Sequence, residues 1–370
     1  MLQNLAQIVS QFQLEGNLID VAPYQSGHIN DTYVSRWQWR NAQVRYIHQR
    51  INHHVFKTPE DVMENIARVT RFAREQIIAA GGDAQRETLN LIPTRDDQTF
   101  YKTPDGEYWR TYVFIEGARA YDTPQNLDHL YRAAHAFGRF QKLVSTLPGE
   151  RLRETIPDFH HTPSRFATFL RALKADVKHR AASVKPEIDF ALKREAETGI
   201  IVTLLAQGKL PERVIHNDTK LNNVLIDDQT GKGICVIDLD TVMPGSALYD
   251  FGDAVRVGAS TASEDERDLS KVDLSLELFE RLAHGYLDAT RNFLTDPERM
   301  HLALAAKLLT LEQGIRFLTD YLNGDVYYKI QRADHNLDRC RTQFKLVARM
   351  EHQMERMQSI VDRGAHLLFL

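Results

Sequence analysis

Short alternating runs of apolar and polar residues occupy the chain from about Asn17 to Glu116, and that period is the signature of strands. Val21, Tyr33, Val34, Tyr46 and Ile47 fall in such runs, with turns expected at Ser26-Gly27 and Asn41-Ala42. A hairpin is predicted from Thr99–Thr103 through Pro104-Asp105-Gly106 to Tyr108–Ile115. One helix interrupts the strands. Thr58-Pro59-Glu60-Asp61 is a helix start with proline and acids in the first turn. Val62, Ile66, Val69, Phe72 and Ala73 then recur at helical spacing, and Gly81-Gly82 stops the run.

Beyond Thr123-Pro124 the period becomes helical, predicting helices near 124–146, 163–178, 187–206, 272–292, 297–322 and 336–363. In the last of these, Phe344, Val347, Met350 and Met354 recur as a core face. A single β-like island, Val214 to Val242, lies between the helices. The expectation is an α+β chain of two lobes. Residues 1–116 form a small β-rich lobe with one main helix, and residues 117–370 a larger helical one, with a hinge at about 114–118.

Composition narrows the function. With 43% hydrophobic and 26% charged residues the 370-residue chain reads as a soluble globular protein. Its 46 Lys and Arg against 50 Asp and Glu give a net charge of −4, which disfavours general nucleic-acid binding. Two cysteines, Cys235 and Cys340, cannot build a disulfide scaffold or a Cys-rich metal site. No apolar run approaches the roughly 18 residues of a membrane span, and the first residues lack a signal-peptide pattern, so a cytoplasmic protein is expected. A monomer is the further expectation.

The chemistry sits in the β island. His216-Asn217-Asp218-Thr219-Lys220-Leu221-Asn222-Asn223 precedes a first apolar strand, and Ile237-Asp238-Leu239-Asp240 closes a second. A hairpin would fold these polar clusters beside each other, bringing Asp218, Lys220 and Asn223 toward Asp238. His216, Asp218 and Asn223 fill the His-x-Asp-x-x-x-x-Asn spacing of a kinase catalytic loop, and Asp238 stands where such loops place a magnesium ligand. Asn223 and Asp238 are hard oxygen donors suited to Mg²⁺. Asp218 would orient or accept the proton of an attacking hydroxyl, and Lys220 would reach the transferred phosphate. Two carboxylates about 4 Å apart repel by roughly 4 kcal/mol at an effective dielectric near 20, so a cation is part of this expectation. His216 is expected to brace the loop from inside the lobe, whereas Asp240 is open between a metal or substrate contact and a turn acid. The pairs His53-His54 and His160-His161 lack ligand spacing and are expected at the surface or as caps.

These residues resemble the aminoglycoside phosphotransferase-like small-molecule kinases, and within them the branch that phosphorylates N-acetylhexosamines at the anomeric oxygen. The resemblance runs through Gly27-His28-Ile29-Asn30, the two clusters, Tyr249-Asp250-Phe251-Gly252-Asp253, Gly314–Tyr321 and Asn336–Gln343. It implies a bilobal protein-kinase-like fold and ATP-dependent phosphorylation of N-acetylglucosamine or N-acetylgalactosamine, with Mg²⁺ as cofactor. It also implies that Asp218 is the base, Asp238 the metal ligand, and Arg316 and Tyr327 the sugar-binding pair; Asp218 and Asp240 are further candidates for substrate contact. Taken alone, Arg316 and Tyr327 read more simply as a salt-bridging helix residue and a packed aromatic. Asn323-Gly324 should end the helix carrying Arg316 and let the chain turn back toward it.

Departures from the wider kinase pattern shape the nucleotide side. With no Gly-x-Gly-x-x-Gly loop, phosphate contacts fall to Gly27, His28 and Asn30. The usual strand lysine is missing, leaving Gln49 or Arg50, which a two-residue period puts on opposite faces. Glu64 is a possible partner for Arg50, and adenine is expected at the backbone of Phe114 to Glu116. Two alternatives stay open: a kinase of another small alcohol, such as an aminoglycoside, amino alcohol or different sugar, and a nucleotide-binding pseudokinase.

Overall fold

The structure, a computed structural model, describes residues 2–24 and 29–367. Gly27 and His28 therefore lie outside the described residues, as does the turn expected at Ser26-Gly27. The chain opens with α1 (Leu2–Val9), β1 (Asn17–Pro23), β2 (Asp31–Trp39) and β3 (Ala42–Ile51), then α2 (Pro59–Ala79). Short strands follow as β4 (Leu91–Ile92), β5 (Tyr101–Lys102), β6 (Tyr108–Val113) and β7 (Ala118–Arg119). Next come α3 (Leu127–Val144), α4 (Thr162–Ala175), α5 (Lys185–Leu192), α6 (Glu195–Thr198) and α7 (Ile200–Ala206). The island contributes β8 (Arg213–Ile215), β9 (Val224–Asp227), β10 (Gly233–Val236) and β11 (Met243–Gly245). The chain finishes with α8 (Ala247–Gly258), α9 (Leu276–Thr290), α10 (Asp296–Met300), α11 (Leu302–Asn323) and α12 (His335–Leu367). Among the described residues no helix is long and apolar enough to cross a membrane.

Contacts divide the chain into two compact units. The first comprises Met1–Arg119, Leu143–Pro157 and Leu225–Met243; the second comprises Ala120–Lys142, Asp158–Val224 and Pro244–Leu370. The first is built on an antiparallel sheet in the order β1-β2-β3-β6-β4, with β5 also paired to β6. Helix α1, which the sequence reading did not foresee, sets Leu5 and Ile8 into a cluster with Phe12 and Trp109. Helix α2 starts at Pro59 and lays Val62, Ile66 and Val69 into the interior, as its spacing predicts. Its Asn65 accepts from the Arg153 backbone N–H and donates to the Val242 carbonyl, tying the helix to the segment that follows Asp240.

A buried histidine marks the centre of this sheet. His48 is fully buried on β3, its ring nitrogens at 2.7 Å from Ser35 Oγ and 2.8 Å from Thr111 Oγ1. Burial disfavours the imidazolium and lowers its pKa from the ordinary 6.5 to about 3. The unfolded chain therefore takes up this proton below pH 6.5 while the folded one does not, so stability falls as pH drops from 6.5 toward 3. At pH 5 the loss amounts to about 2 kcal/mol, taking roughly 1.4 kcal/mol per pH unit. His48→Gln, which can still bridge two hydroxyls, should remove this part of the slope between pH 7 and pH 5. Equal slopes for the two proteins in urea unfolding would refute it.

The second unit is helical and centred on α11, which packs against α12, α8 and α4. Eighteen of its residues are buried, and Gly324, at φ +96°, ends it in the left-handed conformation expected of a glycine cap. Gly252 allows α8 to approach: a Cβ there would meet the Ala305 carbonyl oxygen at 2.7 Å. In α12, Phe344, Val347 and Met350 are buried as predicted. Three expectations need correction. The helix predicted over 187–206 is broken into α5, α6 and α7, interrupted near Arg194 and at low-propensity Gly199. That over 297–322 is split at His301, whose ring donates to the Pro297 carbonyl at 2.7 Å. Helix α8 went unpredicted, because its interleaved acids Asp250 and Asp253 obscure the apolar face.

Candidate active site

In the second unit, β8 delivers the chain into the loop His216–Asn223, and helix α8 holds that loop in place. The carboxylate of Asp250, nearly fully buried, accepts the backbone N–H groups of His216 at 2.9 Å and Asn217 at 2.7 Å. It also accepts the Gln141 amide at 2.6 Å, and Tyr286 in turn donates to Gln141. One turn on, Asp253 accepts the Thr219 N–H at 2.9 Å and is neutralised by Arg256 at 2.8 Å. Burial opposes the Asp253 charge, but Arg256 and Lys220 hold its pKa below the ordinary value. His216 is buried edge-on against Phe137 and Phe140, and its Nδ1 accepts the Asp218 N–H at 3.2 Å, which places the ring proton on Nε2. Asn217 completes the bend at φ +68°.

The loop thereby presents Asp218, Lys220 and Asn223 together. Asp218 Oδ1 lies 2.7 Å from Lys220 Nζ, and its Oδ2 accepts from Asn223 Nδ2 at 3.1 Å. Burial works against the Lys220 charge, but the Asp218 carboxylate keeps its pKa above the usual lysine value. The same Asn223 nitrogen donates to the Asp218 carbonyl at 2.8 Å, so a cation would be met by the oxygen end of this amide.

His160 is not the surface or capping residue its sequence position suggested; His161 alone caps α4, accepting from Ser164 N–H. Buried, the His160 ring contacts the Asn217 carbonyl at 3.3 Å and Glu312 of α11 at 2.7 Å. Glu312 also accepts from Thr162 at 2.6 Å, and His160 keeps its carboxyl below the usual range against the effect of burial. One turn further along α11 is Arg316, its guanidinium 5.2 Å from the Phe159 ring centre and 5.9 Å from that of Tyr328. Past Gly324 the chain turns back as expected. Asp320 accepts the N–H groups of Val326, Tyr327 and Tyr328, each at 2.9 Å, and fixes the exposed Tyr327 beside Tyr328 with ring centres 4.8 Å apart. Arg165 of α4 joins this face, donating to the Phe159 carbonyl at 3.2 and 3.1 Å.

The first unit carries the nucleotide-side candidates. Strands β9 and β10 are hydrogen-bonded neighbours; Asp238, left-handed at φ +58°, follows the second of them. Two residues on, Asp240 is buried with both oxygens engaged, Oδ1 by Arg110 and Oδ2 by Asn30. Asn30 also accepts the Asn52 N–H at 3.0 Å. Gln49 is the residue of β3 that turns inward: it lies opposite Arg110 of β6 and accepts from that guanidinium at 3.0 and 2.8 Å. Arg50 turns outward to Asp31 and Glu107, and Glu64 meets Arg153 instead, at 3.5 Å. The buried cation of this sheet is thus Arg110, one strand over from the expected lysine position. Burial alone would discharge it, yet Asp240 holds its pKa above the ordinary arginine value. At the expected adenine segment, Phe114 N–H donates to the Arg45 carbonyl at 3.1 Å, while Arg45 pairs with Glu116 and covers the Phe114 ring.

A sequence profile described as the phosphotransferase enzyme family, APH, matches residues 20–303. The chain belongs to that family. Among solved structures, the phosphotransferase is similar to an aminoglycoside phosphotransferase from Alicyclobacillus acidocaldarius, with TM-score 0.56 and 11% identity over 98% of this chain and 96% of that one. An ethanolamine kinase from Plasmodium vivax gives TM-score 0.53 at 13% identity, covering 92% and 84%. A choline kinase from Cryptosporidium parvum gives 0.51 at 17% identity, covering 100% and 99%. At such identities the likeness defines the fold: the phosphotransferase has the protein-kinase-like fold of these enzymes, with a β-sheet lobe and a helical lobe.

Sequence reasoning missed Arg110 and Arg165, misplaced His160, and named Asp250 and Asp253 only within the run that carries the resemblance, without a role. For Asp250 and Asp253 a signal existed, two acids spaced i, i+3 among the apolar Leu248, Phe251 and Val255. Arg110 gave one too, a charge inside the apolar run of β6.

Proposed function

We propose that this phosphotransferase moves the γ-phosphoryl group of ATP onto the anomeric oxygen of an N-acetylhexosamine, N-acetylglucosamine or N-acetylgalactosamine, releasing the sugar 1-phosphate and ADP. The extended motif resemblance supports the reaction, and one observation supports the acceptor class. The face around Arg316 is built of guanidinium groups and aromatic rings, with neither Arg316 nor Arg165 in an ion pair among the described residues. A cationic acceptor, such as an aminoglycoside or choline, would meet repulsion there, whereas a neutral, oxygen-rich sugar would find donors and a ring surface.

In this reading Asp218 orients the anomeric hydroxyl and takes its proton as the bond to phosphorus forms. Lys220 stands beside it to offset charge on the phosphoryl oxygens, and Arg316 and Tyr327 hold the sugar. Among the described residues no three His, Cys, Asp or Glu side chains gather as a metal site. Mg²⁺ takes one or two protein oxygens and draws the rest from water and phosphates, and Asn223 and Asp238 are the hard oxygen donors that would hold it. When bound, Mg²⁺ neutralises charge on the nucleotide phosphates. On the nucleotide side, Gln49, Asn30 and Asp240 would shape the sheet face, with Phe114 to Glu116 near adenine.

Incubating the protein with Mg·ATP and each N-acetylhexosamine, with ³¹P NMR as readout, should give the resonance of a sugar 1-phosphate together with ADP. Preferential phosphorylation of an aminoglycoside or of choline would replace this reading with a different acceptor class.

A further inference from the structure

The face that carries Arg316 holds a second guanidinium, Arg165, and the two share one residue, Phe159. Arg316 lies 5.2 Å from the centre of its ring, while Arg165 grips its carbonyl through two nitrogens, at 3.2 and 3.1 Å. Both arginines are half-buried, and among the described residues neither makes an ion pair. The acid that acts on both, Glu312, is already held by His160 and Thr162, at 2.7 and 2.6 Å. Burial first, and then the neighbouring Arg316, push the Arg165 pKa down from its ordinary value, whereas Tyr328 and Glu312 hold that of Arg316 above its own against the effect of burial. The other walls are rings: Phe159, Tyr327 and Tyr328. Keeping two guanidiniums together with no carboxylate in contact, the one acid beside them being engaged by His160 and Thr162, is costly, and a ligand oxygen placed between them recovers that cost.

The face is joined to the reacting loop through a rigid link. Glu312 and Arg316 are one turn apart on α11, Glu312 holds His160, and the His160 ring contacts the carbonyl of Asn217, the residue before Asp218. A ligand held by the two arginines is therefore held in fixed relation to the base loop.

We propose that Arg165 and Arg316 form a receptor for a planar carbonyl oxygen on the acceptor, and that Arg165 is a specificity-determining residue. The oxygen can belong to an N-acyl amide or to a carboxylate; an ammonium in its place is repelled. The identity of the acceptor rests on the sugar-kinase reading above, while the chemistry of the receptor rests on these residues alone.

The test compares kcat/KM for four acceptors, N-acetylglucosamine, glucuronic acid, glucose and glucosamine, in the wild type, Arg165→Gln and Arg165→Lys. The wild type should favour N-acetylglucosamine or glucuronic acid over glucose by about tenfold or more, with glucosamine lowest, a preference set by one charge-assisted hydrogen bond. Which of the two leads tells an acyl amide from a carboxylate. Arg165→Gln should compress that ratio toward one, a fall of roughly 10- to 100-fold, and Arg165→Lys should lie between, keeping the charge but not the fork. A merely structural role would lower all acceptors together and leave the ratio in place. If Arg165→Gln fails to fold, the ratio in Arg165→Lys decides. An unchanged ratio in the folded variants overturns the receptor and spares the sugar-kinase reading. A wild-type preference for glucosamine overturns the receptor alone, and turnover of none of the four overturns both.

Discussion

Asp218→Asn should cut turnover by about 10² to 10⁴, the range typical of a positioned general base. The carboxylate is held at 2.7 Å by Lys220 Nζ and at 3.1 Å by Asn223 Nδ2, and its backbone N–H is fixed by His216. Asparagine preserves the shape and one acceptor oxygen, turns an NH₂ toward either Lys220 or Asn223, and removes the charge that in the proposed reading takes a proton. The loop is pinned from behind by Asp250 and Asp253, so the variant should fold and bind nucleotide as the wild type does. In the proposed reading the acceptor is an anomeric hydroxyl, more acidic than an ordinary alcohol, so part of the effect would come from lost orientation rather than lost basicity. A steady-state assay of ADP release decides it: turnover within about threefold of wild type would remove Asp218 from the chemistry, being far below what a base contributes.

The parts of this protein that local pattern could reveal were legible in its residues. The period-two runs of Tyr33, Val34, Tyr46 and Ile47 became β2 and β3, and the proline-started repeat of Val62, Ile66 and Val69 became α2. The spacing of Asp218 and Asn223 announced a kinase-type loop, and the structure sets them in hydrogen-bond contact. What stayed hidden depends on pairings between distant segments. Alternation showed that Gln49 and Arg50 face opposite ways, but not that Gln49 is the inward one; that follows from its register against Arg110, which no local pattern contains. His160 read as a surface residue because nothing near it in sequence discloses Glu312 or the Asn217 carbonyl. The break at Arg194 was equally invisible, since its guanidinium is drawn to Glu351 of the last helix. Charges inside apolar runs, Arg110 and Asp250 among them, are where pattern reading fails and where the fold has placed its buried ion pairs and braces.

The largest effect on folding is expected at such a brace. Asp250 accepts three donors with one carboxylate: the His216 and Asn217 N–H groups at 2.9 and 2.7 Å and the Gln141 amide at 2.6 Å. All of this is buried, so Asp250→Ala takes the carboxylate acceptor away from three donors at once, at about 1–3 kcal/mol each. Partial relaxation will recover some of that, and a net loss of roughly 3–5 kcal/mol is the expectation, comparable to breaking a buried charged network. At about 2–4 °C per kcal/mol for a unit of this size, the thermal midpoint should drop on the order of 10 °C. Turnover should fall as well, by about 100-fold, because the released backbone is the one that positions Asp218 and a displacement near 1 Å costs that much. Assaying well below the new midpoint separates the two effects. Asp250→Asn sharpens the test: it keeps the volume but turns an NH₂ toward N–H donors, so it should lose turnover with a smaller drop in midpoint. If both variants melt within about 2 °C of wild type, less than a 1 kcal/mol change would give, the catalytic loop is not held by α8.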